Sequence, residues 1–252
     1  MRIFFSLIFS LNLIQAQIKD VKIGTQVWMA ENLNVFYFKN GDAIPVVKTN
    51  DEWEIASKKK QPACCFYENQ VENGNTYGVL YNWYAVNDPR GLAPIGYHIP
   101  SDAEWAKLNA FLGGKNKVAK KMKSTNGWPN FEAEVECNEC ISWTPEQKAG
   151  LTCSNCNDSR KIKGQKSGNG SNESGFNALP GGYRDNDGTF FTYDRRYYLI
   201  LQNYGQLGGF WWSSSQSNPD YVWGNSLYYN NDFLIRTPNI KGKGGAVRCI
   251  KN

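Results

Sequence analysis

The sequence predicts an α+β domain of short antiparallel strands with one or two helices, plus a small zinc-ribbon-like insertion carrying four cysteines. Three observations predict it. From Gly175 to Cys249 glycines stand at turns and aromatics come in short runs with almost no helical periodicity, the pattern of brief strands around a small core. The segment beginning at Ser101 has the clearest helix start in the chain. Cys137, Cys140, Cys153 and Cys156 fall in a C-x2-C-x12-C-x2-C pattern within residues 131–172, a stretch unlike its surroundings.

At 252 residues, with 41% hydrophobic and 14% aromatic content, the chain suits one domain with insertions. Twenty-eight Lys+Arg against 23 Asp+Glu leave a formal charge of +5, far short of the dense basic face of a nucleic-acid binder, and no nucleic-acid partner is expected. Arg2 precedes the apolar run from Ile3 to Phe9, and Ala16 places a small residue before Gln17. Residues 1–16 therefore read as an export signal and residues 17–252 as the mature domain. No stretch approaches the roughly 20 apolar residues a membrane helix needs, so no transmembrane segment is expected.

In chain order, apolar and polar residues alternate from Val21 to Met29 on either side of Gly24-Thr25, which predicts a tight hairpin. Asn50-Asp51 and the acidic turn after them predict a short helix ending at Lys58-Lys59-Lys60, where cations suit the helix dipole. Tyr77 to Val86 is aromatic at a spacing that suits a buried strand or a short helix equally. His98, the only histidine, has no second histidine with which to build a metal cluster and is expected to make structural hydrogen bonds. Ser101-Asp102-Ala103-Glu104 is a capping box, after which Trp105, Leu108, Phe111 and Leu112 are expected on one face until Gly113-Gly114 stops the helix. The five lysines between Lys115 and Lys123 read as a solvated face.

Each C-x2-C pair can point two thiolates at one ion, and the twelve residues between the pairs bring two such knuckles into a tetrahedral site. Structural zinc on Cys137, Cys140, Cys153 and Cys156 is the expected state; two disulfides or a redox couple use the same residues. Four thiolates leave no position open for a water, so this zinc would not be catalytic. In an exported chain Cys64, Cys65 and Cys249 suit one bridge from the early pair to the chain's end. Cys65 with Cys249 is the expected pairing, leaving Cys64 buried and inert.

Several stretches resemble the Fibrobacter succinogenes major paralogous domain family: Val21-Lys22-Ile23-Gly24, Val27 to Asn34, Tyr77 to Val86, Gly96 to Trp105, Lys123 to Trp128, Gly175 to Arg184, Trp211 to Ser214 and Val247-Arg248-Cys249. The likeness covers nearly all of residues 17–252, with the cysteine insertion outside it. It implies an exported bacterial domain, secreted, at the outer surface or periplasmic, with a fold similar to C-type lectins and formylglycine-generating enzymes and an activity generally unassigned. The family often places a cysteine at Cys65, in agreement with the expected bridge.

The function expected from these features is non-catalytic binding or display, with surface glycan or protein as partner. Stacking and hydrogen-bonding residues crowd the loops between Asn186 and Asn231, and Tyr197, Tyr198, Tyr228 and Tyr229 are the candidate ligand-binding residues. Each adjacent pair, if extended, sends one ring inward and one outward. Trp211, Trp212 and Trp223 are expected in the core. The alternative is an oxidoreductase resembling formylglycine-generating enzymes, which depend on two cysteines near the domain's C-terminal end; here Cys249 stands there alone.

Overall fold

A computed structural model describes residues 18–114, 117–129, 168–191, 208–229 and 231–252. The strands are β1 (Asp20–Ile23), β2 (Gln26–Met29), β3 (Cys64–Cys65), β4 (Leu80–Asn82), β5 (Tyr97–His98), β6 (Gly208–Gln216), β7 (Tyr221–Tyr228), β8 (Ile235–Ile240), β9 (Gly244–Gly245) and β10 (Ile250–Lys251). The helices are α1 (Asn50–Lys58), α2 (Val71–Tyr77), α3 (Trp83–Val86), α4 (Asp102–Phe111) and α5 (Val118–Met122). The protein is thus mixed α/β, with antiparallel sheets and, among the described helices, only α1 and α4 longer than two turns. No helix among the described residues is long and apolar enough to cross a membrane.

Among the described residues the strands pair into three sheets, in strand orders β1-β2-β10-β5, β3-β4-β9 and β6-β7-β8. The β1–β2 hairpin turns where the alternation predicts, with Ile23 opposite Gln26 and Gly24 at a φ of 63° that suits glycine. The C-terminal strand β10 then inserts between β2 and β5, Ile250 facing both Trp28 and His98. Both ends of the domain are thereby fixed in one sheet.

Among the described residues two hydrophobic clusters form the core, and strand alternation assigns residues between them. Trp211 joins Trp28, Trp105 and Phe176 in the first, whereas its neighbour Trp212 joins Tyr81, Trp83 and Phe210 in the second. Trp28 meets the Trp105 ring at 4.9 Å and the Phe176 ring at 5.7 Å, and such aromatic pairs contribute about 0.5–1.5 kcal/mol each beyond area burial. Gly224 lets Phe210 in, because a Cβ there would meet that ring at 2.2 Å.

Helix α4 starts on the expected capping box: the Ser101 hydroxyl accepts from the Glu104 amide, and the Glu104 carboxylate accepts from the Ser101 amide at 2.7 Å. Trp105, Leu108 and Leu112 are buried, but Phe111 is 62% exposed. At about 100° per residue it lies some 120° around the helix from Trp105, so it rests over Gly24 beside Lys22 and Lys107. Helix α1 is capped by Thr49, not Asn50: Thr49 is extended and its hydroxyl accepts from the Glu52 amide. The ambiguous segment divides, strand β4 giving way to α3 at Asn82, whose Oδ1 accepts from the Ala85 amide at 3.0 Å. In the lysine run, Lys117 and Lys120 are exposed, but Lys123 is fully buried, its ammonium donating to the Asn231 carbonyl at 2.7 Å.

Candidate functional site

Two buried arginines hold the loops that carry the site. Arg184 is 0% exposed and lies over the Trp53 and Phe190 rings, 4.7 Å from each. Its guanidinium donates to the carbonyls of Gly188 at 2.8 Å, Val47 at 2.8 Å and Thr49 at 2.8 Å, joining segments more than a hundred residues apart. Arg248 lies over Phe176 at 4.1 Å and donates to the Phe176 carbonyl and, at 2.6 and 3.0 Å, to Asn32 Oδ1. Trp211 Nε1 donates to the same Asn32 oxygen at 2.8 Å. Carbonyl and amide oxygens thus meet the hydrogen-bonding demand of both desolvated cations.

Next to Arg184 along the chain, Tyr183 turns the other way. Its ring stacks on Phe191 with centroids 4.4 Å apart and planes 11° apart, and meets Phe210 edge-on at 6.2 Å. Lys243, just before β9, sets its ammonium 3.6 Å from the Tyr183 centroid and 4.4 Å from that of Phe210, attractive positions over an aromatic face. Asn239 Nδ2 donates to Thr237, which leaves Oδ1 to accept from Lys243 Nζ at 3.0 Å. Burial pulls the Lys243 ammonium down to about 8, against the Asp185 carboxylate, which favours the charge. Burial raises the Tyr183 phenol, with smaller contributions from Tyr228 and Asp185. Half-buried Tyr228, at the end of β7, borders this cluster; a Cβ at Gly208 opposite would meet its ring at 2.9 Å.

A second surface lies on the sheet formed by β6, β7 and β8. Trp223 is half-buried instead of core, because β7 turns it outward with Tyr221. The Arg236 guanidinium lies 3.2 Å from its ring centroid and grips Asp102, at the start of α4, with bonds of 2.5 and 2.8 Å. Pro238 sits opposite Trp223 on β8 and removes a donor from that strand, as suits a sheet edge that resists adding another strand.

Of the candidate tyrosines, Tyr197 and Tyr198 lie outside the described residues. Tyr228 and Tyr229 divide as an extended pair does, Tyr228 half-buried and Tyr229 buried in the first core cluster, so Tyr229 is corrected to a core residue. The expected Cys65–Cys249 bridge is not formed in this structure. Cys64, Cys65 and Cys249 are free and buried, and Cys65 packs in the first cluster while Cys249 packs in the second. Alternation along β3 puts Cys64, not Cys65, on the side of Cys249. Burial raises all three thiols to about 12, which leaves them inert at neutral pH. Cys137, Cys140, Cys153 and Cys156 lie outside the described residues, as do residues 1–16. Among the described residues no three metal-ligating side chains cluster. His98 has the expected structural role, its Nδ1 bonded to Asn252 Oδ1 and its Nε2 to Glu104 Oε1, each at 2.8 Å.

Lys243, Tyr183 and Arg236 escape a sequence reading, because each gains its place from partners remote in the chain. The Gly181-Gly182-Tyr183-Arg184 run is the one signal that points to any of them. No match was found among curated proteins or among solved structures. The family model described as Fibrobacter succinogenes major domain matches residues 21–251, and its span takes in both buried arginines, the Tyr183–Lys243 cluster and all three sheets; the chain belongs to that family.

Proposed function

We propose that this protein is a non-catalytic binding or display module, secreted or held at a bacterial surface, that recognises glycan or protein. The observation that carries the reading is the cluster of Tyr183, Phe191, Tyr228 and Lys243, where half-buried rings and a cation are held by neighbours that are themselves pinned. Stacking surface with fixed polar groups, on a scaffold tied by Arg184, suits recognition at low entropic cost. The C-type lectin-like fold belongs to the same proposal, supported by the pairing of C-terminal β10 with the N-terminal hairpin. So does structural zinc on Cys137, Cys140, Cys153 and Cys156, supported by their spacing. An oxidase resembling formylglycine-generating enzymes is disfavoured by Cys249, whose buried thiol is raised to about 12 and so resists becoming a nucleophile. A glycan array probed with the mature chain, with and without chelator, tests the reading. Chelator-insensitive binding of a defined glycan class supports it, and thiol-peptide oxidation lost on Cys249→Ser would replace it with the enzyme.

A further inference from the structure

We propose that Lys243 is the anion-reading group of this module and takes the carboxylate of an acidic sugar, with the Tyr183 and Tyr228 phenols flanking it. The inference rests on the binding reading above and narrows it to uronate-type glycans. An ammonium has three donors, and Asn239 Oδ1 accepts one of them. The rings of Tyr183 and Phe210 supply attraction without a counter-charge. No carboxylate lies within ion-pair distance of Lys243 among the described residues, although the Asp185 carboxylate acts on it from farther away.

Such a group gains more from a carboxylate than a solvated surface lysine does, because part of its desolvation has already been met in folding. The orientation is fixed as well: the Thr237 contacts hold the Asn239 amide, and the Phe191 stack holds Tyr183. The Tyr183 and Tyr228 hydroxyls make no hydrogen bond among the described residues, which leaves two further donors for carboxylate or sugar oxygens. A pyranose ring suits this company of half-exposed aromatics better than an extended peptide carboxylate does.

The titratable groups around Lys243 set the pH dependence. Asp185 favours the charged amine, while burial and then Tyr228, Asp185 and Tyr67 raise the Tyr183 phenol. With burial drawing Lys243 to about 8, the cation is present at pH 7 and is lost as pH rises through that value.

The test is calorimetric titration of the mature chain with oligogalacturonate and with a neutral oligosaccharide of equal length. At pH 7 the acidic ligand should bind about tenfold or more tighter, the range of one charge-assisted hydrogen bond. That preference should vanish at pH 9.5 and in Lys243→Met, and Lys243→Arg should keep part of it. Equal affinities in the wild type, a preference that survives Lys243→Met, or stronger binding of acidic peptides than of oligouronate would each overturn the inference. Absence of binding to every glycan would instead overturn the glycan reading of the module. If Lys243→Met folds poorly, the wild-type pH series decides alone.

Discussion

At the scale of single residues, two arginines act as structural pins. Arg184 and Arg248, from the Gly-Gly-Tyr-Arg and Val-Arg-Cys runs, spend their donors on carbonyl and amide oxygens inside the core. Arg184→Lys keeps the charge but cannot span Gly188, Val47 and Thr49 together, since one ammonium replaces a planar fork. We expect it to destabilise the fold by about 3 kcal/mol, as buried acceptors lose their donors at about 1–3 kcal/mol each. Urea unfolding of the variant checks this, and a change below the error of the method would show Arg184 to be dispensable. These roles are not legible in the sequence. The residues stand out, but an arginine bound to carbonyls more than a hundred positions away leaves no local pattern from which burial can be read.

At the scale of elements, local chemistry is legible and placement is not. The hairpin at Gly24-Thr25 and the capping box at Ser101 are decided by neighbours within four residues, and both form as the pattern predicts. Phe111 departs from its expected face because helical spacing cannot say how far the apolar stripe extends around α4. The Tyr77–Val86 segment resists a choice because it holds two elements, divided at Asn82. The capping box also reaches beyond its helix: Glu104 caps α4 and binds His98, which binds Asn252 after β10. Burial lowers the His98 imidazole, but its bonds to Glu104 and Asn252 prevail and hold it above its ordinary 6.5. Burial raises Glu104, but the bonds from Ser101 and His98 prevail and hold it below 4.5. A raised histidine stabilises fully below its unfolded value and loses that stability as pH rises through its folded value. A lowered carboxylate stabilises above its unfolded value and loses it as pH falls through its folded one. The pair therefore contributes most between about 4.5 and 6.5. His98→Gln should flatten the decline in stability above pH 6.5, read as melting temperature against pH. An unchanged profile would show that the pair adds nothing.

At the scale of the whole molecule, the described segments on either side of the four-cysteine stretch are anchored in the domain. On one side Trp128 is buried, its Nε1 donating to the Ala178 carbonyl at 2.8 Å and its amide to Asn169 Oδ1 at 2.9 Å. On the other, the Gly168 amide donates to the Tyr229 carbonyl at 2.6 Å and the Gly170 amide to the Ser124 carbonyl at 2.8 Å. Lys123 lies beneath, bonded to the Asn231 carbonyl with its ammonium 5.0 Å from the Trp128 ring centroid. The segments on both sides of the four-cysteine stretch are thus bonded to the domain and to each other. If the four cysteines hold zinc, the metal stabilises the insertion, because a segment of about forty residues has little core of its own. Chelation, or Cys137→Ser, should then release about one metal ion per chain and open the four-cysteine stretch to protease while the main melting transition stays within about 2 °C. A cooperative collapse of the whole domain on metal loss would show that the cysteine stretch is integral to the fold. Full metal content in Cys137→Ser would show that the ion is held elsewhere.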